Sequence, residues 1–86
     1  MNEKVLKALL AESAVKKVKV IASGGTFHVE IKTLAQTTLV SNSTGTLKNW
    51  RTLDACARWL HKVGIGTAII DIGLWQPDQK VFSSFS

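Results

Sequence analysis

A chain of 86 residues holds one hydrophobic core and leaves no room for a second domain. With 45% hydrophobic and 20% charged residues it has a globular composition, which excludes disorder along its whole length. Eleven Lys and Arg against six Asp and Glu leave a net charge of +5, a balance that suits nucleic acid or another acidic partner without requiring one.

The first element is a helix. Asn2 can cap it through its side-chain oxygen, with Glu3 placed favourably at the positive helix end. Val5, Leu6, Leu9 and Leu10 recur at helical spacing, and the helix is expected to end near Ser13. This N-terminal stretch lacks the apolar core of a secretory leader, and no run approaches the ~18 apolar residues of a membrane span. Cys56 is the single cysteine, which excludes an internal disulfide and fits a cytoplasmic protein that stays off membranes.

VKKVKVIASGGTFHVEIKT follows, with the pattern of a β-hairpin. A two-residue turn at Gly24-Gly25 sets Ser23 against Thr26, Val20 against Val29 and Val18 against Ile31. Val18, Val20, Ala22, Phe27, Val29 and Ile31 then share one face. Lys17, Lys19, Ile21, His28, Glu30 and Lys32 share the other. Lys19 meets Glu30 across the strands, whereas Lys17 faces Lys32, a like-charge pair suited to an anion or to a solvated edge.

QTTLVSN, STG and TLKNW predict a second, shorter hairpin whose register the sequence leaves open. RTLDACARWLHKVGIG then carries a whole helix with both ends. Thr52 caps its start, and Leu53, Cys56, Ala57, Leu60 and Val63 form its core stripe. Gly64 suits the left-handed residue that ends it, with Ile65 beside it. Asp54 and Arg58 are i, i+4 partners. TAIIDI is expected as a buried strand, followed by a turn around Pro77 and a frayed tail over 81–86. The sum is an α+β domain over residues 1–80, ordered α-β-β-β-β-α-β, with about five mostly antiparallel strands and two helices on one face. A parallel strand–helix–strand passage through residues 46–72 would need a right-handed crossover.

The run from Trp50 to Lys80 resembles the small ParC-like plasmid partition-associated proteins, which are unrelated to the topoisomerase subunit of that name. Trp50-Arg51, Leu53-Asp54-Ala55, Arg58-Trp59-Leu60, Gly64-Ile65-Gly66 and the spacing of Trp75, Pro77 and Gln79 carry the resemblance. It implies a genetic setting on plasmids and mobile elements. It implies no mechanism and no catalytic residues.

Catalysis finds little footing in the residues themselves. Cys56 and His61 lie five apart on one helix and point away from each other. Cys56 falls on the core stripe, and His28 stands alone on a strand's outer face. Asp71 and Asp78 have no spacing that would pair them. His28, Cys56 and His61 show no metal-ligand spacing, and Gly24-Gly25 is a hairpin turn, not a phosphate loop. No enzyme, metal or cofactor is expected. No helix-turn-helix is evident either.

The basic residues suggest a contact surface instead. Lys17, Lys19 and Lys32, extended by Lys48 and Arg51, are the candidates for nucleic acid. Arg58, Trp59 and Lys62 are the candidates for a protein partner, with Trp59 at the margin of the apolar stripe. The leading expectation is a non-enzymatic accessory protein of plasmid or mobile-element maintenance that contacts DNA or a DNA-bound partner. The other is a protein–protein adaptor or small homodimer that binds no nucleic acid.

Overall fold

In the computed structural model, which describes residues 1–75, six elements follow one another. They are α1 (Glu3–Ala11), β1 (Val15–Gly24), β2 (Thr26–Thr33), β3 (Thr37–Leu39), α2 (Leu53–Val63) and β4 (Ile69–Trp75). The turn at Pro77, Asp78, Gln79 and the tail 81–86 lie outside the described residues.

The first hairpin adopts the register that its turn and alternation dictate. Ser23 faces Thr26, Val20 faces Val29, Lys19 faces Glu30 and Lys17 faces Lys32. Gly24 takes a φ of 63°, which a residue with a Cβ would resist. All six apolar residues of the inner face are buried. One irregularity interrupts the pairing: Val15 faces Thr33 although Lys17 faces Lys32, so Lys16 is the extra residue of a bulge. Val15 and Val18 both pack toward the core, three positions apart. Strict alternation cannot place them so, and the bulge restores the phase.

Among the described residues the sheet has four strands in the order β3-β2-β1-β4, against the five or so expected. The predicted second hairpin keeps its incoming strand, β3, and its turn. Asn42 Oδ1 accepts the N–H of Thr44 at 3.0 Å and of Thr46 at 3.2 Å, which closes the turn. Its outgoing arm is no strand. It makes only isolated bridges, Leu47 to Ser41 and Trp50 to Phe27. The edge of β2 is thus completed in pieces, by β3, by Val40 bonding to Val29, and by Trp50 exchanging two bonds with Phe27. With no strand at residues 46–50, the crossover considered above does not arise.

β4 runs parallel to β1, which makes the sheet mixed. It is an edge strand and exposed throughout, not the buried strand its composition suggested.

Both helices lie on the inner face, where Leu6 of α1 and Cys56, Leu60 and Val63 of α2 join the apolar residues of the hairpin in one core. Three stripe residues depart from expectation. Val5 is 47% exposed because α1 is short and touches the core mainly through Leu6 and Leu10. Leu53 and Ala57 are exposed because they face the sheet edge at β4, where little covers them. No helix among the described residues is long and apolar enough to cross a membrane.

The two helices start and stop by the same devices. Asn2 accepts the N–H of Val5 at 2.9 Å, and Thr52 accepts that of Ala55 at 3.1 Å. At the C-termini, Ala14 bonds back to Leu9 and Ile65 to Leu60, each across a left-handed residue. That residue is Gly64 in α2, with φ 107°, but Ser13 in α1, with φ 56°. Ser13→Gly should therefore stabilise the fold by about 0.5 to 1 kcal/mol, the relief of strain exceeding the entropy glycine adds to the unfolded chain. Gly64→Ala should cost about 1 kcal/mol, and through backbone strain alone, since no atom lies within 4 Å of the added Cβ. Urea midpoints of the two variants, moving in opposite directions, check both.

Candidate nucleic-acid interface

The side of the sheet away from the helices carries the charge. Alternation along β1 and β2 puts Lys17, Lys19, Ile21, His28, Glu30 and Lys32 there. The pairing sets them in rows: Lys17 beside Lys32 and then Thr37, Lys19 beside Glu30 and then Leu39. Ile69 of β4 flanks Lys19 on the other side. Neighbouring rows lie within about 7 Å, so one extended anion can touch all three lysines. The ion pairs among the described residues are Glu3–Lys7 and Asp54–Arg58, so Glu30 opposes Lys19 in the ladder without closing a salt bridge onto it.

Lys48 and Arg51 do not extend that face. The Lys48 ammonium sits on the helix side, 5.3 Å from the ring centre of Trp50 and 5.8 Å from that of Trp59. Those two rings pack against each other at 5.1 Å with a 47° tilt. A cation over aromatic faces is held by the ring quadrupole, and here the attraction draws Lys48 away from the sheet's open side. Arg51 is exposed near the Gly24-Gly25 end, beside Phe27, Leu53 and Trp75.

The three residues expected to meet a protein partner have internal tasks. Arg58 Nε lies 2.9 Å from Asp54, an exposed i, i+4 pair that contributes little to stability. Trp59 is half-buried at the margin of the stripe, and its indole N–H donates to Glu3 Oε1 at 3.1 Å, joining α2 to α1. Lys62 is exposed and its charge reaches Glu3. The Asp54–Arg58 spacing was readable in the sequence. A bond between residues 56 positions apart was not.

Acid should weaken this junction. Hydrogen bonding from Lys7, then from Trp59, holds the Glu3 carboxyl below its ordinary range, and the charge of Lys62 adds to the effect. A carboxylate with a lowered folded pKa stabilises the protein above its unfolded pKa, and the contribution fades as pH falls through the folded value. Glu3→Gln and Trp59→Phe should therefore lose less stability than the wild type between pH 7 and pH 3. Urea midpoints at the two pH values measure this. Equal losses in all three proteins would remove Glu3 from the account.

The other titratable candidates stay apart. Cys56 is fully buried, and burial pushes its thiol up to about 11, so it is protonated and a poor nucleophile at neutral pH. His28 is half-buried on the outer face and His61 is exposed on α2. Asp71 accepts the N–H of Gly73 at 3.0 Å, while Asp78 lies outside the described residues. No group of three His, Cys, Asp or Glu that could hold a metal occurs among the described residues.

One surface escaped the sequence. β4 and the exposed side of α2 frame an apolar groove that runs past Leu53, Ala57, Ile70, Ile72 and Trp75. The one hint was a charged residue, Asp71, in the middle of an otherwise aliphatic strand. No family model, curated protein or solved structure matches the chain.

Proposed function

We propose that the protein is a non-enzymatic accessory factor of plasmid or mobile-element maintenance, contacting DNA or a DNA-bound partner through the open face of its sheet. The observation that carries this is the placement of Lys17, Lys19 and Lys32 on the open face of the sheet, where Glu30 of β2 and Asp71 of β4 offset them in part. The net charge of +5 is consistent with it. The resemblance of residues 50–80 to the ParC-like partition-associated proteins supplies the genetic setting. Lysines on a sheet face grip phosphates as point charges and read no base edges, so the binding is non-specific. Neither a cofactor nor a metal enters this function.

The test is duplex DNA binding at two or more salt concentrations. Dissociation constants of about 10⁻⁴ to 10⁻⁶ M at physiological salt are expected, with a slope of roughly −3 in log K against log salt for three neutralised phosphates. Replacing Lys17, Lys19 and Lys32 together with Gln should flatten the slope and leave the thermal midpoint nearly unchanged. Lys48→Gln should leave the slope as it is, because Lys48 lies over the tryptophans. A triple variant that binds like the wild type would move the site elsewhere. No binding even at low salt would favour a protein–protein adaptor.

A further inference from the structure

Where the end of β4 passes the start of α2, the chain encloses a cavity of about 310 Å³, at the lower end of the range for sites that take small ligands. Its walls are apolar. The β1–β4 register sets Ile70 beside the buried Val20, so Ile70 stands on the helix side of the sheet. Ile72 lines the cavity on that same side, together with Phe27 and Leu53. The Trp75 ring closes one end, 6.2 Å from the ring of Phe27. Ile69, Asp71 and Leu74 lie on the opposite face with Lys19, Ile21 and Ser23, and take no part in it. Phe27 is buried, whereas Leu53, Ile72 and Trp75 are 37%, 54% and 42% exposed. An occupant therefore covers apolar surface that now meets water.

Among the described residues that line this cavity, one is charged: Arg51. It is exposed and belongs to neither of the ion pairs found among the described residues. Asp54, on the first turn of α2, is held by Arg58 at 2.9 Å, and no acidic residue lines the walls. We propose that the cavity binds a small apolar monocarboxylate, with its carboxylate on the Arg51 guanidinium and its ring or branched chain between Leu53, Ile72 and Trp75. A guanidinium presents parallel N–H donors that match the two oxygens of a carboxylate, and its single charge balances a monoanion. The positive end of the α2 dipole, which begins at Leu53, adds to it. An exposed ion pair alone contributes little, so an anion without an apolar part is not retained. The volume limits that part to one ring or a short branched chain. His61 lines the groove about 12 Å further along α2 from Leu53, out of reach of a ligand held at Arg51. Lys17, Lys19 and Lys32 stand on the other face of the sheet and do not contribute.

The test is a titration of the full chain, at neutral pH and constant salt, followed by amide and indole NMR shifts. Three probes separate the two parts of the ligand: 3-phenylpropionate, the neutral 3-phenylpropanol, and acetate. 3-Phenylpropionate should saturate with a dissociation constant of about 1 mM, as befits a small ligand in an open site. The shifts should centre on Gly25, Thr52, Leu53 and the Trp75 indole N–H. The alcohol should bind about fivefold more weakly, and acetate should not saturate. Arg51→Gln should reduce the acid to the affinity of the alcohol and leave the alcohol unchanged, and Arg51→Lys should restore part of the difference. Leu53→Ala should weaken both. Arg51 and Leu53 are exposed, and unchanged shifts in the hairpin check that the variants fold. Four results would overturn the proposal: no saturation by the acid up to roughly 20 mM, equal binding of acid and alcohol, an Arg51→Gln protein that binds the acid like the wild type, or acid-induced shifts confined to Lys17, Lys19 and Lys32. DNA binding can fail without touching this result, and the reverse holds.

Discussion

Phe27→Ala should lower the unfolding free energy by about 4 kcal/mol, within the range for large aromatics removed from a core. Phe27 is 4% exposed and stands where three parts of the chain converge. Its backbone exchanges hydrogen bonds of 2.8 and 2.9 Å with Trp50, which pins the arm leading into α2. Its ring lies 6.2 Å from that of Trp75, at the end of β4. Alanine keeps the backbone bonds and removes the ring, so the loss is one of packing and leaves a cavity between β2 and β4. A domain of this size has a total stability of about 5 to 10 kcal/mol. Urea denaturation should thus show a midpoint moved close to native conditions. A loss below about 1 kcal/mol would mean that Trp75 and Leu53 collapse into the space.

Leu6→Ala should cost about 3 kcal/mol and detach α1. Leu6 is the one fully buried side chain of a nine-residue helix. A helix of that length does not hold its shape in water without tertiary support. What remains is Leu10, partly buried, and the Glu3 bond to Trp59, which needs a docked helix. Helical circular dichroism should fall and Trp59 emission should shift, both before the sheet unfolds. Val5→Ala is the matched comparison. Its side chain is exposed on the same helix, and its midpoint should move by less than about 0.5 kcal/mol. Similar losses at both positions would mean that α1 is held by something other than Leu6.

The sequence by itself determined what is decided within a few residues. The hairpin register follows from a two-glycine turn joined to period-two alternation, and no slip by one residue keeps Val18, Val20, Val29 and Ile31 inside. The helix ends follow from Asn2, Thr52 and Gly64, whose side chains or missing Cβ act on the adjacent turn. The Asp54–Arg58 pair follows from 3.6-residue periodicity. From that register the lysine face was readable as well, in Lys17, Lys19 and Lys32.

Only the tertiary structure decided how those pieces meet. An apolar run such as AIIDIGLW reads alike as a central or an edge strand, since composition reports burial tendency and not which side of β1 stands open. β4 took the free edge, parallel to β1, and its aliphatic side chains became surface. The arm from Thr46 to Trp50 has the composition of a strand, but Val40 and Phe27 meet it at separate points and no ladder forms. Lys48 left the basic group because two tryptophans nine residues apart converge beneath it. Glu3 found Trp59 only because both helices lie on the same face of the sheet. Each of these outcomes is a long-range contact, fixed by which surfaces remain uncovered once the local elements have formed. Turn chemistry and periodicity act over a handful of residues and carry no information about that choice.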